Sequence, residues 1–254
     1  MCGINGFSFK DISLIKKMSE LTQQRGPDYT GFYTDDFVSL SHNRLSILDP
    51  HERSNQPFVY KNFVIIFNGE IYNYKELSNF LEEKGYKIQT SSDTEVIIKL
   101  FHLLGTKSFI KLKGIFAISI YDKAQKKIYL IRDLIGVKNL YYTIEKNKIY
   151  FSSLIQPLKK VTNKLELNKE ACNNYFNFNR NDGRETFYKK IFKVMPGELI
   201  IFDKNQMLRQ KILEFSFKKN ILFSKQEIKN KIENIIHNQF ISDVPVALSL
   251  SGGV

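Results

Sequence analysis

Phe63-Val64-Ile65-Ile66-Phe67-Asn68-Gly69-Glu70-Ile71-Tyr72-Asn73 is the stretch whose reading decides the architecture of this chain. Five β-favouring apolar residues end on Asn-Gly, and a helical periodicity begins just after Asn73. Residues 63–67 read as a strand, and residues 74–84 as a helix with Gly85 as its C-cap. Taken alone, Asn68-Gly69 fits a two-residue type I′ hairpin turn.

Outward from this stretch, further short β-like runs cover residues 37–40, 44–48, 114–121, 128–132, 139–143, 149–152 and 198–202. Helical patterning covers 12–21 and 93–104, the second stopped by Gly105 and started by Ser92 with Glu95 at capping-box spacing. Residues 177–183 read as a polar loop and Pro196-Gly197 as a turn into the last strand. Strands in mixed order with helices on their faces point to packed sheets covered by helices, a layered α+β domain.

The character changes after about residue 212. Ser224 and Glu227 form a second capping-box pattern ahead of Ile228, Ile232, Ile235 and Ile236, which share one helical face and should pack against something. The chain then runs through Ser242-Asp243-Val244-Pro245 into an apolar strand, 246–250, and ends on Ser251-Gly252-Gly253-Val254. A strand leading into Ser-Gly-Gly is the start of a phosphate-cradling loop, because glycines let successive N–H groups face an anion. Two units are expected: residues 2–212, and a linker helix with the start of a second domain over 213–254.

Of the 254 residues, 43% are hydrophobic and 25% charged, the usage of a globular protein rather than a disordered one. The net charge of +12 raises the question of nucleic acid or an anionic membrane surface. Its lysines are scattered in pairs such as Lys126-Lys127 and Lys218-Lys219, with no basic arm, so neither partner is expected. Cys2 and Cys172 are too few for a disulfide framework and form no CxxC pair. The N-terminus shows no basic leader and no run of 18 apolar residues occurs, so a cytoplasmic location is expected.

Met1 before the small residue Cys2 favours removal of the initiator methionine. That would place a thiol and a free α-amine on one residue. An α-amine titrates at about 7.7–8.0 and can act as a base near neutrality, and a thiol at about 8.5 needs little activation. By itself, a Cys at position 2 reads by default as an inert terminal thiol.

Met1-Cys2-Gly3-Ile4-x-Gly6, Arg25-Gly26-Pro27-Asp28, His42-x-Arg44-Leu45-Ser46-Ile47, Gln56-Pro57, Asn68-Gly69-Glu70-Ile71-Tyr72-Asn73, Ser92-Asp93-Thr94-Glu95 and Arg132-Asp133-x-x-Gly136-x-Lys138 follow one another in order. Together they resemble the class II glutamine amidotransferase domain of glutamine-dependent asparagine synthetases. The tail from Ser242 to Val254 resembles that family's entry into its ATP-pyrophosphatase domain. The fold this implies is the four-layer αββα sandwich of N-terminal nucleophile hydrolases, followed by the first helix and strand of an α/β domain.

The resemblance also implies roles. Cys2 would be the nucleophile, with Asn68 (side-chain amide) and Gly69 (backbone N–H) as the oxyanion hole. Arg44 would grip the α-carboxylate of glutamine and Asp93 its α-ammonium, with Ile47 and Glu70 at the pocket wall. Each has a plain alternative: Arg44 as a strand-edge charge, Asp93 as a first-turn acid favoured by the helix dipole, Arg25-Gly26-Pro27-Asp28 as an ordinary turn. His42, His51, His102 and His237 have no metal-ligand spacing, and no metal is expected. The glutaminase half needs no cofactor.

Ser251, Gly252 and Gly253 would belong to an ATP loop, with ATP and Mg expected only for a complete synthetase domain. The loop stops before the family's Asp-Ser, so no ATP turnover is expected of this chain. The full reaction would move ammonia from glutamine to aspartate or another carboxylate acceptor, such as a saccharide. A degenerate interaction domain is the non-enzyme alternative, and a homodimer stays open. Asn5, Asn139 and the Phe151-Ser152-Ser153-Leu154 segment depart from the family pattern and leave the acceptor in doubt.

Overall fold

The computed structural model describes residues 1–203, 206–215, 223–249 and 252. Strand β1 (Gly3–Phe7) leads into helix α1 (Ile12–Glu20), then β2 (Tyr29–Thr34) and β3 (Ser39–Arg44). The short β4 (Phe58–Tyr60) and long β5 (Phe63–Ile71) precede α2 (Tyr74–Glu83) and α3 (Asp93–Leu104). Next come β6 (Gly114–Asp122), β7 (Lys127–Arg132), β8 (Tyr141–Glu145), β9 (Lys148–Ser152), α4 (Ile155–Val161) and α5 (Lys169–Phe178). The chain continues with β10 (Phe192–Lys193), β11 (Glu198–Asp203), β12 (Gln206–Lys211) and α6 (Lys225–Gln239).

The strands form two antiparallel sheets, ordered β10-β8-β9-β1-β3-β2 and β12-β11-β7-β6-β5-β4. Period-two alternation along each strand explains why both faces are covered. In β5, Val64 and Ile66 point into the core between the sheets with Ile4, Leu40 and Phe151, while Ile65 and Phe67 join the cluster under α2 and α3. On the far side, Phe7 of β1 packs with Ile15 and Met18 of α1 and Leu158 of α4. Helix, sheet, sheet, helix is the layered α+β arrangement expected. Each fully buried aliphatic or Phe side chain contributes about 1.5–3 kcal/mol, so truncating Ile66, at the centre, would cost about 2–5 kcal/mol.

Several local expectations change. There is no hairpin turn at Asn68-Gly69, because β5 runs through both residues to Ile71, paired with β6 all the way. The apolar strands expected at 37–40 and 44–48 are one strand, β3, between them, and residues 45–49 form a loop over the pocket described below. Ser92 does cap α3, accepting from the Thr94 N–H, but Glu95 turns away to accept from Gln89 and Thr90 and to pair with Lys99. The box at Ser224 and Glu227 is complete.

Residues 246–249 adopt no strand, and Leu250 lies outside the described residues. Helix α6 forms, yet Ile228, Ile232, Ile235 and Ile236 are all exposed, so its apolar face packs against nothing among the described residues. Of the helix and strand expected after residue 212, the described residues show the helix alone.

Candidate active site

Cys2 sits just ahead of β1, where the start of β1 and the end of β3 in one sheet come near Gly69 and Glu70 of β5 in the other. A narrow cavity of about 30 Å³ there is lined by Cys2, Arg44, Ile47, Gly69, Glu70 and Asp93. Residues from β3, its following loop, β5 and the first turn of α3 thus converge on one thiol. A wider groove of about 510 Å³ beside α5 is lined by Asn168, Asn174, Arg180 and Asp182 and contains no nucleophile.

The Cys2 thiol is half-buried and meets the main chain of Leu45 in both directions. The Leu45 N–H donates to Sγ at 3.4 Å, and the Leu45 carbonyl lies 3.7 Å from it. Burial pushes the thiol pKa up, while the Leu45 hydrogen bond and the nearby N-terminal amine pull it down. Burial is the chief cause that lowers the pKa of that amine, which in this structure belongs to Met1, the residue ahead of Cys2.

The Arg25-Gly26-Pro27-Asp28 segment holds this geometry. Arg25 Nε donates to the Cys2 carbonyl at 2.9 Å, and the Asp28 carboxylate accepts from the Ser46 N–H at 2.7 Å. At Gly26 a Cβ would sit 2.2 Å from the Asn43 carbonyl oxygen, so only glycine lets this loop lie so close to β3.

The edge of β5 beyond β4 supplies donors. Phe116, opposite Gly69 in β6, gives its N–H to Asp133 and accepts from the Asp133 N–H. Gly69 and Phe116 are therefore a non-hydrogen-bonded pair, and the Gly69 N–H faces away from β6. Its neighbours of the same parity are tied down, Phe67 N–H to Gln56 Oε1 at 2.6 Å and Ile71 N–H to Asp93 Oδ2 at 3.0 Å. Gly69 N–H lies between them, aimed at the cavity its residue lines. Asn68 is 1% exposed, and its Nδ2 has no acceptor among the described residues. Buried amides almost always find partners, so this orphaned one stands out, although Asn68 is not among the residues that line the cavity and its neighbours Phe67 and Gly69 are.

Two carboxyls share the far wall. Burial raises Asp93 to about 7, against the N–H donors of Ile71 and Thr94 and the charge of Arg44. Burial, and then the Asp93 charge, raise Glu70 to about 8, opposed by Lys138. Lys138 is itself buried, its pKa lowered for that reason, and it lies within electrostatic reach of Glu70 and Cys2.

Arg44 spends four N–H groups on its own loop, donating to Leu48 O, Asp49 O, His51 O and Asn55 Oδ1 at 2.5–3.0 Å. Only Nε remains for a ligand. It shapes the pocket as much as it lines it.

Sequence reasoning passed over Lys138 and Gln56 as site residues, although both stood in the quoted motifs. Arg132 and Asp133 build the loop that delivers Lys138: Asp133 accepts from the N–H groups of Ile135, Gly136, Val137 and Lys138, and Arg132 donates to the carbonyls of Lys138 and Val194. His42 Nε2 donates to the Phe67 carbonyl at 3.0 Å, and burial pushes its pKa down to about 3, so it stays neutral and bridges the sheets.

No cluster among the described residues could hold a metal, and no described helix is long and apolar enough to cross a membrane. Ser251 and Gly253 lie outside the described residues. Gly252, with a φ of 67°, has no described heavy atom within 4 Å of where a Cβ would be.

A family model for the glutamine amidotransferase domain matches residues 1–213. Glutamine-hydrolysing asparagine synthetase 1 of Bacillus subtilis is 36% identical over 95% of this chain and 39% of its own length. A putative glutamine-hydrolysing asparagine synthetase 2 of Methanocaldococcus jannaschii is 33% identical over 100% of this chain and 55% of its own length. The chain thus spans about half or less of these relatives. An allosteric regulatory enzyme of purine biosynthesis shares the fold, with a TM-score of 0.64 at 19% identity over 87% of this chain and 50% of that one. A thiol at the head of β1, motifs in register and a matching model over four-fifths of the sequence converge on one placement: the chain belongs to the class II glutamine amidotransferases.

Proposed function

We propose that the chain hydrolyses glutamine through Cys2. The observation that carries the proposal is the cavity itself: Cys2 and Gly69 line it together with Arg44 and two perturbed carboxyls, Glu70 and Asp93, and the unpartnered Asn68 amide belongs to the residue next to Gly69.

After loss of Met1, the α-amine of Cys2 takes the thiol proton, directly or through a water, and sulfur attacks the side-chain amide carbon of glutamine. The oxyanion accepts from Asn68 Nδ2 and the Gly69 N–H. The protonated amine returns its proton to the leaving nitrogen, which departs as ammonia and leaves a glutamyl thioester. Water, deprotonated by the same amine, then adds to the thioester and releases glutamate and the thiol. Asp93 pairs with the substrate ammonium, Arg44 Nε faces its carboxylate, and Ile47 and Glu70 close the wall.

In a longer protein this ammonia would amidate a carboxylate activated by ATP and Mg, with aspartate the favoured acceptor from the resemblance to asparagine synthetases. Residues 2–212 would form the glutaminase unit and 213–254 the link to that activity. A different acceptor has support from an amidase of Gibberella zeae, chry2, which is 30% identical over 99% of this chain. Aspartate and alternative carboxylates supplied with Mg-ATP to a longer form separate the two.

The test of the first half uses the chain as it is. Incubation with glutamine should release glutamate and ammonia in equal amounts, and Cys2→Ala should lower the rate by about 10³-fold or more. A Cys2→Ala protein as active as the parent would end the proposal.

A further inference from the structure

The segment after α6 reaches back across the sequence to the glutamine pocket. The Asp243 N–H donates to the Ile47 carbonyl at 3.0 Å, and the Asp243 carboxylate accepts from the Asp49 N–H at 2.7 Å. Ile241 packs beside it against the α2–α3 cluster, and Ser242 Oγ braces the turn by bonding to both the N–H and the carbonyl of Val244.

Asp49 is the hub of this contact. It is 2% exposed and holds a left-handed backbone with φ of 43°, a conformation a non-glycine residue keeps only when its surroundings enforce it. Each of its polar groups goes to a different element. The carbonyl accepts from Arg44, the carboxylate accepts from the Ser91 N–H just ahead of α3 and from Arg53, and the N–H is given to Asp243. Ile47, Leu48 and Arg44 line the cavity, and the Leu45 main chain holds the thiol.

We infer that Asp243 is a positioning residue for the glutamine pocket: it clamps the Ile47–Asp49 wall, so that the grip on glutamine depends on where the segment after α6 lies. The inference rests on the glutaminase reading above. It adds that a residue 194 positions from Asp49 sets substrate affinity without touching substrate. Loss of the clamp frees the Asp49 N–H and lets the loop that carries Ile47 relax, while Asn68 and Gly69 keep their places in β5 and Cys2 stays anchored at the head of β1 by Arg25. The effect belongs in KM and not in kcat.

The test compares Asp243→Ala and Asp243→Asn in the full chain, by glutamate release and by hydrogen exchange at the Asp49 amide. Asp243→Ala should raise KM for glutamine about tenfold, the scale of one charge-assisted hydrogen bond, with kcat unchanged within about twofold, and should speed Asp49 exchange. Asp243→Asn keeps an acceptor oxygen and should restore most of both. A parental KM in Asp243→Ala overturns the inference whether or not exchange accelerates, and so does a fall in kcat with KM unchanged. Absence of glutamate release by the parent chain is a different result: it removes the glutaminase reading and this inference with it.

Discussion

Two buried asparagines lie on facing sheets, and their surroundings are opposite. Asn5, on β1, is fully buried under α1: its Nδ2 donates to Thr22 Oγ1 and Ser41 Oγ, and its Oδ1 accepts from Ser152 Oγ. Asn43 extends the same layer to Ser19, Thr22 and Thr30. Asn68, on β5, is as deeply buried, yet its Nδ2 has no partner among the described residues. A closed polar network fixes structure, whereas an open one with displaced carboxyl pKa values is held ready for something that arrives. Asn5 departs from the family pattern and, together with Ser152, accounts for its own departure: the two residues satisfy each other.

Exchanging the two amides for apolar side chains sharpens the contrast. Asn68→Ala is expected to lower kcat by about 10²–10³-fold, or about 2.7–4 kcal/mol of transition-state stabilisation, with no loss of stability in urea, since no protein hydrogen bond is removed. Asn5→Ala is expected to do the reverse. It removes three hydrogen bonds, leaving Ser41 without its amide partner while Thr22 and Ser152 keep others, and should cost about 1–3 kcal/mol in urea unfolding, with kcat within about threefold. Equal stability losses in the two variants would erase the distinction.

The carboxyls of the open region give the next two effects. Asp93 must be ionised to pair with the substrate ammonium, and in the free protein it titrates at about 7. KM for glutamine should therefore rise by up to about tenfold per pH unit as pH falls below 7, and Asp93→Asn should bind weakly with a flat profile; a steep profile in that variant would assign the titration elsewhere.

Glu70, raised to about 8, makes a smaller contribution. A carboxyl whose folded pKa lies above its unfolded value of about 4.3 contributes stability that is complete below that value and is lost as pH rises through about 8. Glu70→Gln should match the parent in acid and unfold at higher urea in alkali, the gain trimmed by solvent because the side chain is half-buried. Superimposable urea curves for the two proteins at alkaline pH would contradict the shift.

Much of this was legible in the sequence, and for a physical reason. Period-two runs such as Gly114–Asp122 and Lys127–Arg132 announce buried strands, and Gly105 stops α3 where its φ of 58° demands glycine. Motif spacing likewise singled out Cys2, Arg44, Ile47, Gly69, Glu70 and Asp93, which line one cavity, and Asn68, which is not among its lining residues. Polar strands were invisible. Ser39–Arg44 carries a single aliphatic residue, Leu40, because its outer face meets hydroxyls and amides and not a greasy helix. Asn68-Gly69 mimics a hairpin turn only while its neighbours are unknown; nine paired positions with β6 settle it as strand. Lys138 drew no attention because its motif is dominated by Arg132 and Asp133, which serve the loop. The Asp243 clamp joins residues too far apart for any local pattern to reveal.

The central claim, that one terminal residue is both attacker and proton acceptor, is tested most directly by the N-terminus. Glutamate release should be compared between protein whose chain begins at Cys2, verified by intact mass, and protein carrying an extension that cannot be removed. The account predicts a loss of about 10²-fold or more in the extended form, the scale of a missing general base. Equal rates from the two forms would contradict it.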